Sequence, residues 1–581
     1  MRVRQETQSK SLAERLQTPG AMAFGVLLYA LLLFLPHALL LPYADEILVV
    51  YPAKLMAQGW VVYKDFFTGV TPGSYVLAML IFKLTGYSVV AIRCAGFFIA
   101  LLTLAMVMQV CRRALHPWLR VLLAVYLMVD VLCHQYVYTH HTLSGPLSVW
   151  AIYALWRYLT GGRVQRAWVR LAGALLGVVL MSTQSTGVVM GGGLWVWLVW
   201  DRWRQQAGGL QGLLKAVGWA ALNLLGPMVL VTGVFLGWLW WQGALWDFYQ
   251  DTIAWLFYGG YQKVSSNLYF ATGFTDIQNT SVIAEHDGTR RILPWMFPAS
   301  VGQFLRGWLP VLGYLFATQR LAEQALKKRW QPTDDRWLLW VWGGWCLLIS
   351  TLTYSSVYHI VTTGWMGFGF AAIALQTVTR RWGGLVRRTL AALAAVYLLY
   401  IIGLQTWISW SPLLTPGEDG KLNKYWVQSQ GTAEPFLVDV RGPYNAFLLT
   451  MMTQLTQKLT TPGDRIFAIS DLSELYLVSD RLPASGHLIV YPVMLSPQEE
   501  QKMVATLKAD PPKIIFYDHK DVWMVKLDFR YKALRDNPPN LDALHAFLSA
   551  NYQAYPLDRK YSMLVRRSDL QGRTLQDLLN N

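Results

Sequence analysis

The sequence predicts a polytopic α-helical membrane protein of about eleven spans, with interfacial helices in its first outer loop and a C-terminal extracytoplasmic α/β domain. Three observations carry this reading. Hydrophobic residues make up 54% of the 581 and charged residues only 14%, against about 25% charged in soluble chains. The apolar residues come in long runs with basic residues between them, and mean hydropathy is +0.30. The stretch 412–581 alone has an ordinary soluble composition.

Runs long enough to cross ~30 Å of hydrocarbon lie near 21–42, 89–111, 117–133, 143–160, 167–183, 186–201, 214–240, 301–318, 337–355, 360–378 and 388–410. Basic residues fill alternate connections: Arg112, Arg113 and Arg120; Arg157, Arg163, Arg166 and Arg170; Arg202, Arg204 and Lys215; Arg320, Lys327, Lys328, Arg329 and Arg336; Arg380, Arg381, Arg387 and Arg388. The connections 134–142, 184–185 and 356–359 contain no Lys or Arg. The positive-inside rule therefore places residues 1–20 in the cytoplasm and 411–581 outside. The basic N-terminus is read as leading into an uncleaved first span.

The segment 73–86 is apolar but only 14 residues long. Read as a span, it would invert every later basic loop, so it is assigned to the outer interface. The first outer loop then runs over 43–88, and a second long outer loop covers 242–300. Residues 21–410 form the membrane domain. In the C-terminal part, 465–470, 474–480, 487–493 and 513–519 read as strands, and 496–509 and 541–551 as helices. That part shows no Gly-rich phosphate loop and no catalytic triad pattern.

The net charge of +16 is a topology signal, so no nucleic-acid partner is expected. The four cysteines lie in or beside apolar runs without a CxxC pair, and read as core residues. The sequon Asn279-Thr280-Ser281 is a pattern match alone.

The chemistry concentrates in the first outer loop. Asp45 follows the first span by about three residues, and acids at that depth are costly and usually functional; a plain helix cap is the alternative. The stretch DEILVVYPAKLMAQGWVVYKDFFTGVTPGSYVLAMLIFKLTGYSVVAIR carries Asp45-Glu46, Tyr63-Lys64-Asp65-Phe66-Phe67, Pro72-Gly73, Gly86 and Arg93. It resembles the GT-C glycosyltransferases, specifically the bacterial relatives of protein O-mannosyltransferases and aminoarabinose transferases. The resemblance implies a polyprenyl-phosphate-linked sugar donor, an extracytoplasmic acceptor (lipid, glycan or protein) and a multi-pass place in a bacterial inner membrane among its lipids. It makes Asp45 the catalytic carboxylate, with Glu46 beside it.

Such a donor already carries a good leaving group. The protein must supply a carboxylate to take the acceptor proton and groups to hold the phosphate as charge builds. Lys64 with Asp65, His359, Arg290 and Arg291 are the candidates for the phosphate side. His140 and His141, in the second outer loop, stand where many relatives carry an acid. They are read as lining the acceptor cavity, since adjacent helical residues point apart. No cofactor is assigned; a divalent cation is left open, with Asp45 and His140 as its donors if one binds. Asp130 is read as pairing with a histidine or sitting at the interface. The competing readings are a transporter or flippase for lipid-linked saccharides, which predicts repeats and midplane acids, and a polymerase or ligase, which predicts reliance on loop arginines.

Overall fold

The structure is a computed structural model. It describes residues 19–570 apart from 43–44, 132–136, 207–208, 256–283, 287–288, 292–296, 352–356, 381–383, 415–425, 428, 439–445, 470–471, 489, 491–496, 519–540 and 559–560, with a few positions beyond. The sequon and Cys133 lie outside the described residues, as do the side chains of Asp130, Arg290 and Arg291.

Each of the eleven apolar runs is helical over most of its described part. They are α1 (Pro19–Ala38), α4 (Val89–Cys111), α5 (Pro117–Tyr126), α6 (His140–Thr160), α7 (Arg166–Leu180), α8 (Gln184–Gln205), α9 with α10 (Gly209–Ala220, Gly226–Trp241), α12 (Phe297–Leu326), α13 (Pro332–Ser350), α14 with α15 (Val357–Thr363, Trp365–Thr379) and α16 (Gly384–Leu414). Two stretches, Val89–Cys111 and Gly209–Trp241, are long and apolar enough to cross a membrane by length and composition alone. A π turn, Ala221–Leu225, joins α9 to α10. It falls just before Pro227, which lacks the N–H that the i→i−4 ladder needs. One buried core runs through these helices. Their outer faces leave Phe24, Leu35, Val229, Leu230, Val234 and Leu399 more than half exposed.

Two short helices follow α1. In α2 (Ile47–Ala57) nine of the residues are buried, so it is apolar on every side because every side is covered. Helix α3 (Gly73–Thr85) keeps Leu80 and Leu84 exposed. Its 13 residues span about 20 Å, short of the ~30 Å hydrocarbon. Gly86 closes it in the left-handed region, φ +69°.

The C-terminal part is a five-stranded sheet, order β6-β5-β7-β9-β8. Strands β5 (Arg465–Ile469), β6 (Leu482–Pro483) and β7 (Ile514–Asp518) are parallel; β8 (Tyr552–Pro556) and β9 (Tyr561–Arg566) continue antiparallel. Strand residues alternate between faces. Ile466, Ala468, Ile514 and Phe516 face the core shared with α2, while Phe467, Ile469 and Ile515 face α19 (Pro497–Ala509) and α20 (Asp542–Asn551).

Two expectations need correction here. The run 474–480 forms helix α18 (Ser473–Ser479), not a strand. All seven helix residues are buried, and a short run apolar on all sides reads the same in either state. The run 487–493 is not a strand at its described positions; the short β6 pairs with β5 instead.

The C-terminal part is fastened to the first outer loop. Lys54 of α2 pairs with Asp480 at 2.5 Å. Tyr51 stacks on Tyr476 and donates to the Arg481 carbonyl. Strand β4 (Phe436–Leu437), paired with β3 (Trp426–Val427), reaches the end of α1. There Leu437 N–H donates to Leu39 O, and Leu41 N–H to Leu437 O.

Candidate active site

Asp45 sits on the turn between α1 and α2, and its neighbours fix that turn. Arg93, buried on α4, donates through Nη1 to the carbonyls of His37, Ala38 and Leu40. Those are carbonyls a helix end leaves unpaired. Its Nε and Nη2 hold both oxygens of Glu46, at 2.8 and 2.5 Å. The Tyr138 backbone N–H bonds the same carboxylate at 3.0 Å. A buried carboxylate so paired is already satisfied. Glu46, expected beside Asp45 as a catalytic group, is a clamp that holds the turn.

The Asp45 side chain keeps exposed surface while protein surrounds it, and burial raises its carboxyl above the ordinary 3.8. A carboxylate raised this way is a stronger proton acceptor than a free surface aspartate.

The loop after α2 is tightly built. Asp65 Oδ2 accepts the Val61 N–H at 2.7 Å, so Asp65 closes the 61–65 turn. Tyr63 is held in the left-handed region, φ +72°, a conformation that costs of order 1 kcal/mol or more. Its hydroxyl bonds Val70 O at 2.7 Å and its ring meets Phe248 edge-on. Lys64, between these two anchored residues, is exposed. Pro72-Gly73 brings the chain against α7: Gly73 N–H donates to Met181 O, and a Cβ at Gly73 would meet that oxygen at 2.6 Å.

The histidines form one group. Thr139 caps α6 through a reciprocal pair with Thr142, which places His140 and His141 in the first turn. Their ring centroids lie 3.9 Å apart, so they do not point to separate faces as expected; the first turn lets the rings fold together. His141 Nε2 meets His359 Nε2 at 2.8 Å. All three lie outside the apolar runs. Burial pushes His140 to about 4 and His359 to about 3, and His141 is lowered too. At neutral pH they are uncharged, so none of the three offers a cationic charge. Among the described residues, no three His, Cys, Asp or Glu converge as metal ligands do.

Sequence reasoning missed the role of Arg93 and a second acid, Asp251. Asp251 lies in the π turn Tyr249–Ala254, facing the Thr68 backbone. Burial, then Glu499 and Asp247, push its carboxyl up to about 8. Nothing in its local sequence signals this, because Glu499 comes from the C-terminal part.

No protein-family model matches the chain, and no curated protein matches it in sequence. Solved structures do match. ArnT from Cupriavidus metallidurans bound to undecaprenyl phosphate aligns over 94% of this chain and 98% of its own, at 12% identity and a TM-score of 0.53. The apo state of the same protein covers 95% and 98%, at 12% identity and 0.54. The Archaeoglobus fulgidus oligosaccharyltransferase covers 96% of this chain and 75% of its own, at 11% identity and 0.48.

The chain has the fold of the GT-C membrane glycosyltransferases. At 12% identity the likeness is one of fold, extending end to end through helices and C-terminal sheet. It is the fold of a polytopic helical membrane protein with an added α/β region.

Proposed function

We propose that the chain is a multi-pass bacterial inner-membrane glycosyltransferase that moves a sugar from a polyprenyl-phosphate donor to an extracytoplasmic acceptor. The observation that supports this most is Asp45: a reachable carboxylate with a raised pKa, on a turn locked by the buried Arg93–Glu46 pair. The similar ArnT was solved with undecaprenyl phosphate, which suits the same donor class here.

The step is an inverting displacement. The acceptor hydroxyl oxygen bonds to the anomeric carbon as its proton passes to Asp45. The anomeric C–O bond breaks on the opposite face, and its electron pair leaves with the polyprenyl phosphate. Lys64 meets the developing phosphate charge, with neutral His140, His141 and His359 offering hydrogen bonds. Arg290 and Arg291 stay candidates on the phosphate side. If a divalent cation takes part, Asp45 and His140 are its donors, and it would add charge stabilisation at the phosphate.

The test is sugar transfer by purified protein from a panel of polyprenyl-phosphate sugars, with and without chelator. Donor consumption supports the reading, and loss with chelator assigns a metal. No consumption from any donor, with the lipids instead exchanged between leaflets of a vesicle, would replace it with a flippase.

A further inference from the structure

In α/β sheets, ligands collect outside the carboxyl ends of parallel strands, where the strand order reverses. Here that reversal falls beside β5, which lies between β6 and β7. This edge is turned toward the first outer loop. Gly486, just after β6, accepts the Phe67 N–H at 2.9 Å. The next residue, His487, stacks on the Phe67 ring, with centroids 5.4 Å apart and planes at 21°. Phe67 meets Trp255 edge-on at 5.8 Å. Beside it, the Thr68 backbone faces Asp251. Glu499 and Lys502 of α19 face both Asp251 and His487.

Phe67, Thr68, Asp251 and His487 are half-buried, so they line a crevice and not a sealed core. Yet the Nε2 atom of His487 is buried and, among the described residues, has no hydrogen-bond partner. Such an atom is costly to leave unmet. The crevice thus joins an aromatic face, a carboxyl group and an unpaired imidazole nitrogen. Those are the groups that grip a hydroxyl-rich ring, its C–H face on the aromatic and its hydroxyls on the polar atoms. Asp251, pushed up to about 8, carries a proton at neutral pH and can donate. Asp247 and Glu499 repel an anion, which disfavours the phosphate end of a donor.

We propose that this crevice, built jointly by loop 65–70, the turn 249–254 and residues 484–488 after β6, is a subsite for an uncharged saccharide, the acceptor of the transfer. The word acceptor rests on the transferase reading; the saccharide site does not.

The test is saturation-transfer NMR on full-length protein in lipid nanodiscs, with methyl glucoside, mannoside, galactoside and arabinofuranoside as probes. Methyl glucuronide is the anionic control. Wild type should saturate at least one neutral glycoside and give a weaker signal with the glucuronide. The signal should weaken roughly five- to tenfold in His487→Ala and in the near-isosteric Asp251→Asn, and persist in Gln553→Ala, on the far edge strand β8. No saturation in wild type, or signal unchanged in both crevice variants, overturns the proposal. Donor consumption in the same samples reads the transferase assignment separately: a glycoside bound without any donor consumed leaves the subsite and removes only its role as acceptor site.

Discussion

At the residue scale, two carboxylates adjacent in sequence have different surroundings. Glu46 is buried and doubly held by Arg93, while Asp45 is reachable. Removing one partner of a buried pair leaves the other charge uncompensated, at about 3–5 kcal/mol. Arg93→Met should therefore unfold at markedly lower temperature in detergent than wild type, whereas Asp45→Asn should melt near it. Equal melting of all three proteins would mean that the pair does not hold the turn. Asp251 has its own signature. Its carboxyl binds a proton more tightly folded than unfolded, the folded value being about 8 against an ordinary 3.8. Its contribution to stability is full below about pH 4 and is lost as pH rises toward 8. Thermal unfolding of wild type should fall across that window, and Asp251→Asn should flatten the fall; parallel curves would contradict the assignment. The place of Asp45, just past the first apolar run, can be read from the sequence. The clamp cannot, because Arg93 stands 47 positions from Glu46 and only folding brings them together.

At the element scale, the C-terminal sheet is part of the site's scaffold. Strand β4 pairs with Leu39 and Leu41, directly before the Asp45 turn. Glu434 accepts the Val90 N–H at 2.7 Å and the Ser88 hydroxyl at 3.3 Å, which caps α4, the helix bearing Arg93. Losing a cap costs about 0.5–2 kcal/mol. Glu434→Ala should lower the transfer rate with little change in donor affinity, since it disturbs the turn and not a donor contact. A change confined to donor affinity would refute that role. The helices were readable as long apolar runs, and β5 and β7 as short ones. Helix α18 was misread because both its faces are covered. The all-round burial of α2 depends on a sheet more than 400 residues further along the chain, visible in the stack of Tyr51 on Tyr476.

At the scale of the whole molecule, the apolar belt and the basic connections describe one orientation. At the basic end, Arg163 bridges Asp201 at 2.9 Å and Asp335 at 3.2 Å, and Arg204 meets Asp335 at 2.7 Å. This network ties three connections that the positive-inside rule puts in the cytoplasm. In a cysteine-free background, Gln553→Cys should react with an impermeant maleimide from outside, and Lys327→Cys only after permeabilisation. The reverse pattern would invert the topology and separate the Asp45 turn from an outer-leaflet donor.

The central claim is that Asp45 takes the acceptor proton. The most direct measurement is the transfer rate of purified wild type beside Asp45→Asn, on the same polyprenyl-phosphate sugar, across pH. Wild type should gain activity as pH rises through a carboxyl value above the usual range, and Asp45→Asn should lose transfer by at least about a hundredfold while keeping its melting temperature. A folded Asp45→Asn that transfers sugar at the wild-type rate would contradict the account.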